Sequence, residues 1–339
     1  MVMKQRKQML TVILPVLGML VLILDSATAL RGAAEGIDLC IRAVIPSLLP
    51  FFVLSILLTS AIGGAEIPAL RPIGERMGLP KGAEGVFLVG LLGGYPVGAQ
   101  SVTQLWREGK LSQHAARRML GFCSNAGPAF IFGMAGHLFT SGAAPWLLWL
   151  IHILSAILVG LLLPGKQPEK CQYTKGRNKD FSAAVSASVK SLANVCCWIV
   201  LMRVLLAFLD RWFLWLLPKA WTITLSGLLE LANGCTLLAG IPAEPWRFVL
   251  CAAFLGFGGV CVGMQTVSVT KELGIGLYFP GKILQCLLST ALALPVAALV
   301  YGSMPAYTAV LLILCAAVVA IVKITVAFCG NLVYNKGNC

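Results

Sequence analysis

The chain is poor in charge. Only 12% of its 339 residues are charged and 58% are hydrophobic, whereas soluble domains carry roughly 25% charged residues. This composition excludes an ordinary soluble domain. Several apolar runs of about 20 residues are long enough to cross a hydrocarbon layer of about 30 Å. The sequence therefore predicts an all-α polytopic membrane protein.

Acidic residues are especially scarce. There are 13 of them against 26 basic residues, which gives a net charge of +13. On a soluble protein this excess would suggest a nucleic-acid partner. Here many basic residues lie in short segments beside apolar runs, as expected for loops held on the cytoplasmic side. We therefore expect the lipid bilayer, and no nucleic acid, as the partner.

The sequence also lacks the motifs of common enzymes and pumps. It contains no Walker A loop, no dinucleotide-binding fingerprint, no H-E-x-x-H pair and no nucleophile elbow. Its 12 cysteines include no C-x-x-C pair and mostly lie in apolar runs, and its 3 histidines lack metal-ligand spacing. We expect no enzymatic activity, no ATP-driven pumping, no cofactor and no metal.

Residues 1–35 are predicted to form an N-terminal transmembrane helix. Basic residues precede an apolar run at 9–30, and Ala27-Thr28-Ala29 resembles a signal-peptidase site. Two interpretations are open, an uncleaved helix with its N-terminus inside and a cleaved signal peptide. The length of the apolar run favours the uncleaved helix.

The rest of the chain divides into two similar halves, 36–165 and 183–339, joined by a linker at 166–182. The linker carries five basic residues, which makes it the strongest cytoplasmic anchor in the sequence. We expect Lys175, within this linker, to be cytoplasmic.

Apolar runs predict further membrane-spanning helices, and two more polar segments, 66–82 and 222–240, are predicted to lie at the interface without crossing. The predicted spans are 37–62, 119–139, 145–163, 183–209, 281–301 and 306–328. Pro46 and Pro50 should kink or locally open the span at 37–62.

Two glycine-rich stretches repeat at a shift of 165 residues. "GGYPVGAQSVT" begins at Gly93, and "GGVCVGMQTVS" begins at Gly258. Glycine and proline are unfavourable within an ordinary helix, and close packing in a membrane does not require glutamines or hydroxyls. The repeat favours a ligand-contacting function, and simple packing of small residues is the alternative.

The first stretch is predicted to be the tip of a re-entrant hairpin. The segment 84–106 is long enough to cross once, but basic segments at 71–81 and 107–118 flank it on both sides. We therefore expect both flanks, including Gly109, on the side of the basic linker. The matching hairpin is predicted at 247–271.

Three crossings separate the two predicted hairpins, provided that 222–240 does not cross. An odd number places the hairpins on opposite faces, which is the inverted repeat that secondary transporters use to build a midplane site. If 222–240 does cross, the repeats are parallel instead.

The tips of such hairpins are candidate substrate-binding sites. Exposed N–H groups of half-helix N-termini attract anionic or carbonyl groups, and a glutamine both donates and accepts hydrogen bonds. Gln100 and Gln265 are predicted to face one shared cavity. The candidate substrate-binding residues are Gly93, Gly94, Gln100, Ser101, Thr103, Asn125, Gly258, Gly259, Gln265, Thr266 and Ser268.

Glu230 and Pro128 add two further candidates. Glu230 stands among leucines, so it is interpreted either as a proton- or ion-coupling group or as the partner of Arg203 or Lys219. Pro128 removes a backbone donor, so carbonyls near Ser124 are predicted to be free for a ligand or ion, with a plain kink as the alternative. His137 and His152 are interpreted as packing or interfacial residues.

Four segments, in this order, resemble a known family. They are "VIPSLLPFFVL", "GGYPVGAQ", "EGKLSQHAARRML" and "FCSNAGPAFIFG". Together they resemble the YlbJ-type sporulation integral membrane proteins of endospore-forming bacteria, which carry the nucleoside-recognition or Gate domain. The resemblance runs from about residue 36 onward and is most specific in the first half. It implies a fold similar to the core of concentrative nucleoside transporters, with two oppositely oriented re-entrant hairpins.

The resemblance also implies a function. It points to a transporter or facilitator of a small organic anion, with dipicolinic acid favoured, moved from the mother cell towards the forespore through the outer forespore membrane. A nucleoside transporter is the first alternative. The second is a non-transporting protein that interacts with other sporulation membrane proteins or with copies of itself.

Overall fold

The computed structural model describes residues 2–62, 66–163, 165, 180–302, 316 and 319–320. Across these residues the regular structure is helical, apart from a single bridge residue at Lys81. The all-α multi-pass prediction is thereby confirmed. The basic linker at 166–179 and nearly all of the predicted span at 306–328 lie outside the described residues. Within the part of the chain that the structure describes, five helices are long and apolar enough to cross a membrane: Ser26–Ile62, Ala144–Leu162, Phe181–Trp212, Glu244–Val269 and Tyr278–Tyr301.

The N-terminal apolar run is divided at Asp25. Helix α1, Val2–Leu24, ends there, and the Asp25 carboxylate caps the next helix by accepting from the Thr28 backbone N–H at 3.3 Å. The same carboxylate lies 2.8 Å from Nε of Arg211. The predicted single run at 9–30 is therefore two helices in the structure.

A long helix follows, built from α2, Ser26–Leu39, and α3, Ile45–Ile62. A π-helical turn, Cys40–Val44, joins them. Since Pro46 has no N–H for the ordinary hydrogen bond, the helix is locally opened next to it, as the sequence predicted.

The first half contains a short helix and a helical hairpin. Helix α4, Arg71–Arg76, lies within the segment predicted to be interfacial. Helices α5, Glu84–Gly93, and α6, Val97–Arg107, then fold back on each other. The arms touch, because a Cβ on Gly98 would lie 3.0 Å from Cα of Gly90. The fold-back falls where the sequence predicted it.

An interrupted helix follows this hairpin. Helix α7, Gln113–Cys123, ends in a non-helical segment at 124–127, and α8, Pro128–Phe130, continues through π and 3-10 turns to Leu138. The predicted span at 119–139 is therefore broken in its middle. Helix α9, Ala144–Leu162, matches its predicted span closely.

The second half repeats this order. Its helices are α10, Phe181–Trp212; α11, Lys219–Leu229; α12, Leu231–Leu238; α13, Glu244–Phe257; α14, Gly259–Val269; and α15, Tyr278–Tyr301.

The second helical hairpin lies earlier than the sequence predicted. Helices α11 and α12 fold back so tightly that a Cβ on Gly234 would lie 2.1 Å from Cα of Gly227. The stretch predicted as a hairpin at 247–271 is instead one span-length helix, interrupted where Gly258 and Gly259 adopt φ values of +82° and +81°. The prediction of a hairpin at 247–271 is not confirmed.

The structural repeat therefore has a shift of about 135 residues rather than 165. "GLL" occurs at 90–92 and at 227–229, in the first arm of each hairpin, and "LGF" occurs at 120–122 and at 255–257, before each helix interruption. The 165-residue shift pairs a hairpin tip with a helix interruption, because both places contain adjacent glycines.

Candidate functional site

Four helix breaks, that is, places where a helix ends and the chain continues, converge at one place in the structure. They are the hairpin tip at 94–96, the interruption at 124–127, the second hairpin tip at Glu230 and the interruption at 258–259. A Cβ on Gly94 would lie 3.0 Å from the backbone N of Gly127. Each break ends a helix and leaves backbone polar groups without an intrahelical partner.

The contacts also join the two halves of the chain. A Cβ on Gly258 would lie 3.0 Å from the ring of Tyr95, and the Tyr95 hydroxyl donates to the carbonyl of Leu255 at 3.2 Å. A Cβ on Gly259 would lie 3.2 Å from the backbone N of Leu231, at the second hairpin tip. Only backbones without side chains can approach this closely.

A cavity of about 50 Å³ lies between the four breaks. It has room for a few water molecules, since one water needs about 10–15 Å³ of cavity volume. Tyr95, Glu230 and Gln265 are the lining residues with polar side chains. Its lining residues are Val44, Leu48, Gly93, Gly94, Tyr95, Ala126, Gly127, Ala129, Phe130, Val195, Ile199, Glu230, Leu231, Ala232, Val262 and Gln265.

Glu230 forms the tip of the second hairpin. It is 3% exposed, and its two carboxylate oxygens accept from the backbone N–H groups of Ala232 at 3.0 Å and Asn233 at 2.5 Å. Its carboxylate thereby caps α12 and complements the positive end of that helix. Among the described residues it has no ion-pair partner, and Arg203 pairs with Glu35 instead.

The two repeated glutamines lie in different environments. Gln265 is 2% exposed, lines the cavity and donates weakly to the sulfur of Cys261 at 3.5 Å. Gln100 lies outside the cavity lining, where its amide donates to the hydroxyl of Ser191 at 3.4 Å. The structure does not place the two glutamines around one cavity.

The predicted hydroxyl residues lie on the helices rather than on the cavity wall. Thr103 donates to the carbonyl of Ala99 at 2.8 Å, and Thr266 and Ser268 donate in the same way to the carbonyls four residues earlier, each at 3.0 Å. Ser101 is buried within α6 and is not part of the lining. Of the predicted set, Gly93, Gly94 and Gln265 line the cavity, and Gly258 and Gly259 lie beside it.

Asn125 lies behind the cavity in a buried polar network. Its amide donates to the carbonyl of Phe122 at 2.8 Å, and its oxygen accepts from the Gln285 amide at 3.0 Å. Next to it, the ring of His152 accepts from the backbone N–H of Ala126 at 3.0 Å. His152 therefore supports the interrupted backbone, in line with its interpretation as a packing residue.

Lys282 is the centre of this network, and the sequence analysis did not single it out. It is 0% exposed, and its ammonium donates to the carbonyl of Ser124, to Oε1 of Gln285 at 2.5 Å and to the hydroxyl of Tyr95 at 3.4 Å. The ammonium also lies 5.2 Å from the centre of the Tyr95 ring. Tyr95 thus separates this cation from the cavity.

One curated protein similar to this chain is the sporulation integral membrane protein YlbJ of Bacillus subtilis (strain 168). The two are 26% identical over an alignment that covers 75% of this chain and 74% of YlbJ. No family model and no solved structure matches the chain. The similarity agrees with the resemblance carried by the four sequence segments: the chain is a relative of the YlbJ-type sporulation integral membrane proteins.

Proposed function

We propose that the protein transports a small organic anion across a membrane during sporulation, or facilitates its passage. Dipicolinic acid, moved from the mother cell towards the forespore, is the favoured substrate. The observation that carries the proposal is that four helix breaks meet around one partly polar cavity. Secondary transporters bind their substrates where discontinuous helices meet, because only there is backbone polarity available inside the membrane.

The order of elements supports an inverted repeat. The interrupted helix of the first half, α9 and α10 lie between the two hairpins. If each crosses once, the hairpins enter the membrane from opposite faces. We propose re-entrant hairpins at 84–107 and 219–238, with Gly109 on the same side as the basic linker. The outer forespore membrane is the proposed location.

The charges around the cavity constrain the transport cycle. A carboxylate dianion is repelled by Glu230, so it enters this site when Glu230 is protonated or when a cation accompanies the anion. Cavities that bind benzene measure about 150 Å³, so this cavity of about 50 Å³ must enlarge to admit a pyridine dicarboxylate. Glu230 is accordingly proposed as the proton- or ion-coupling group.

Nucleosides are the second candidate substrates, and the chemistry of the wall favours them specifically. A carboxylate accepts hydrogen bonds from ribose hydroxyls, and a glutamine amide can pair with the edge of a base. Glu230 and Gln265 supply these two groups on one cavity. A neutral ligand also avoids the repulsion by Glu230.

Uptake into proteoliposomes distinguishes these functions. The purified full-length protein is reconstituted, and the entry of labelled dipicolinate and of labelled uridine is measured with and without a proton gradient. Uptake of dipicolinate that exceeds that of protein-free liposomes supports the first proposal, and uptake of uridine alone supports the second. If neither substrate is taken up, both transport proposals are contradicted, and the non-transporting interaction protein is favoured.

A further inference from the structure

Lys282 is a buried cation whose hydrogen-bond acceptors carry no charge. Its three acceptors are a backbone carbonyl, an amide oxygen and a phenol hydroxyl. Among the described residues, no carboxylate lies within ion-pair distance of its ammonium. A charge buried in this way normally pairs with an opposite charge or has a function.

The carbonyl of Ser124 is available for a cation because of the local sequence. In a continuous helix this carbonyl would accept from the backbone N–H four residues later. That residue is Pro128, which has no N–H. The carbonyl is therefore left to another donor, and the ammonium of Lys282 takes that place.

The other two oxygens are held in position by bonds of their own. Gln285 donates its amide to Asn125 at 3.0 Å, which turns its oxygen towards Lys282. Tyr95 donates its hydroxyl hydrogen to the carbonyl of Leu255, which leaves the lone pairs of that hydroxyl for the ammonium. The three acceptors form an oxygen cage that joins the first hairpin tip, the first interruption and α15. Carbonyl, amide and hydroxyl oxygens are the ligands that hard cations prefer.

We propose that this cage is a monovalent-cation site, and that the ammonium of Lys282 occupies it permanently as a tethered cation. The intact protein then needs no free cation at this place. Truncating the lysine leaves a cage that binds a free monovalent cation, namely an alkali-metal ion or a small alkylammonium. The proposal concerns how the fold is held together and does not depend on transport.

The test is the thermal stability of the purified full-length chain in different chloride salts at equal ionic strength. Lys282→Ala keeps the cage and removes three methylenes and the ammonium, so n-propylammonium fits the space left behind. We expect the Tm of Lys282→Ala to be lowest in choline chloride. We expect the Tm to rise by roughly 3–6 °C in propylammonium, sodium or potassium chloride. A rise of this size corresponds to a bound ligand present at about ten times its Kd. Wild-type protein should show the same Tm in all four salts.

Two variants serve as matched controls. Lys282→Met also lacks the charge, but its side chain fills the space, so its Tm should not depend on the salt. Lys190→Ala removes an exposed lysine on α10 and should behave as wild type. The double variant Lys282→Ala, Gln285→Leu removes one oxygen of the cage and should lose most of the rise in Tm.

The outcomes separate clearly. Equal Tm values of Lys282→Ala in all salts would overturn the proposal and make Lys282 a hydrogen-bonding hub only. Equal salt dependence in Lys282→Met or Lys190→Ala would also overturn it, because the effect would then not arise in the cage. If Lys282→Ala aggregates in choline, the recovery of monodisperse protein after solubilisation in each salt replaces the Tm, with the same expected order. Failure of the uptake assays leaves this stability result unaffected.

Discussion

The two helical hairpins share a backbone path and differ in the chemistry of their tips. In each, a pair of glycines brings the arms into contact, Gly90 with Gly98 and Gly227 with Gly234. The first tip, however, presents Tyr95 towards a buried ammonium, whereas the second presents the carboxylate of Glu230. The comparison indicates that glycine contacts determine the shape of both hairpins, and that the tip residue determines the charge presented to the cavity.

The largest expected effect comes from separating the arms of a hairpin. Gly234→Val adds a side chain where even a Cβ would lie 2.1 Å from Cα of Gly227. We expect a loss of about 3 kcal/mol or more, seen as a lower Tm and a lower yield of folded protein. Gly18→Ala is the control, because its Cβ would meet no atom within 4 Å. A Gly234→Val protein as stable as wild type would contradict the packing of α11 on α12.

The next effect distinguishes the capping function of Glu230 from its charge. Glu230→Ala removes both acceptors and should cost about 1–2 kcal/mol of stability through loss of the cap. Glu230→Gln keeps an acceptor oxygen and should cost less than about 1 kcal/mol. If Glu230 couples transport, both variants should lower gradient-driven uptake at least tenfold.

The control for this comparison is Glu75→Gln, which alters an exposed carboxylate that pairs with Arg71 at 2.8 Å. Exposed ion pairs contribute little, so neither its stability nor its uptake should change. Wild-type uptake by Glu230→Gln would show that the second tip has a purely structural function.

A smaller effect tests the two glutamines that the sequence repeat made equivalent. Gln265→Ala removes a polar group from the cavity wall and should weaken the apparent affinity about tenfold, the value of one hydrogen bond to a charged ligand. Gln100→Ala should change it less than about twofold, because Gln100 contacts Ser191 instead. The measurement is the concentration dependence of uptake, normalised to folded protein. Equal losses in the two variants would restore the shared cavity predicted from the sequence.

The smallest effect is expected at the first tip. Tyr95→Phe keeps the ring on the cavity wall and removes the hydroxyl, which donates to the carbonyl of Leu255 and accepts at 3.4 Å from the ammonium of Lys282. The neutral bond contributes about 1 kcal/mol and the long bond to the ammonium adds to it, so the Tm should fall by at least roughly 2–4 °C. An unchanged Tm would indicate that this bond between the halves adds nothing to stability.

The sequence predicted where the chain folds back in the first hairpin and missed the second fold-back, and the reason is physical. The first tip contains Gly94 and Pro96, which disfavour a continuous helix, and basic segments flank it on both sides. The second tip contains only Glu230 between leucines, and its carboxylate ends one helix by capping the next. The amino-acid composition around Glu230 does not distinguish two helices that meet at this residue from one continuous helix with a buried acid.

The lining of the candidate cavity was predictable in part. Gly93, Gly94, Glu230 and Gln265 were all candidates and all line the cavity. Lys282 was missed because it lies at the start of a predicted span, where a lysine commonly extends to the membrane surface. Its inward position depends on the interruption at Ser124, which lies 158 residues away in the chain. Such a contact is a property of the tertiary fold and has no local signature.

The end of α7 packs against both arms of the first hairpin at the place where the arms touch. A Cβ on Gly90 and a Cβ on Gly98 would each lie 1.9 Å from the same carbonyl, that of Cys123. Tolerance to substitution should therefore be uneven along the hairpin, with these two positions restricted to glycine and the exposed face of α6 free to vary. Because this one carbonyl contacts both arms, we expect the hairpin and α7 to move together.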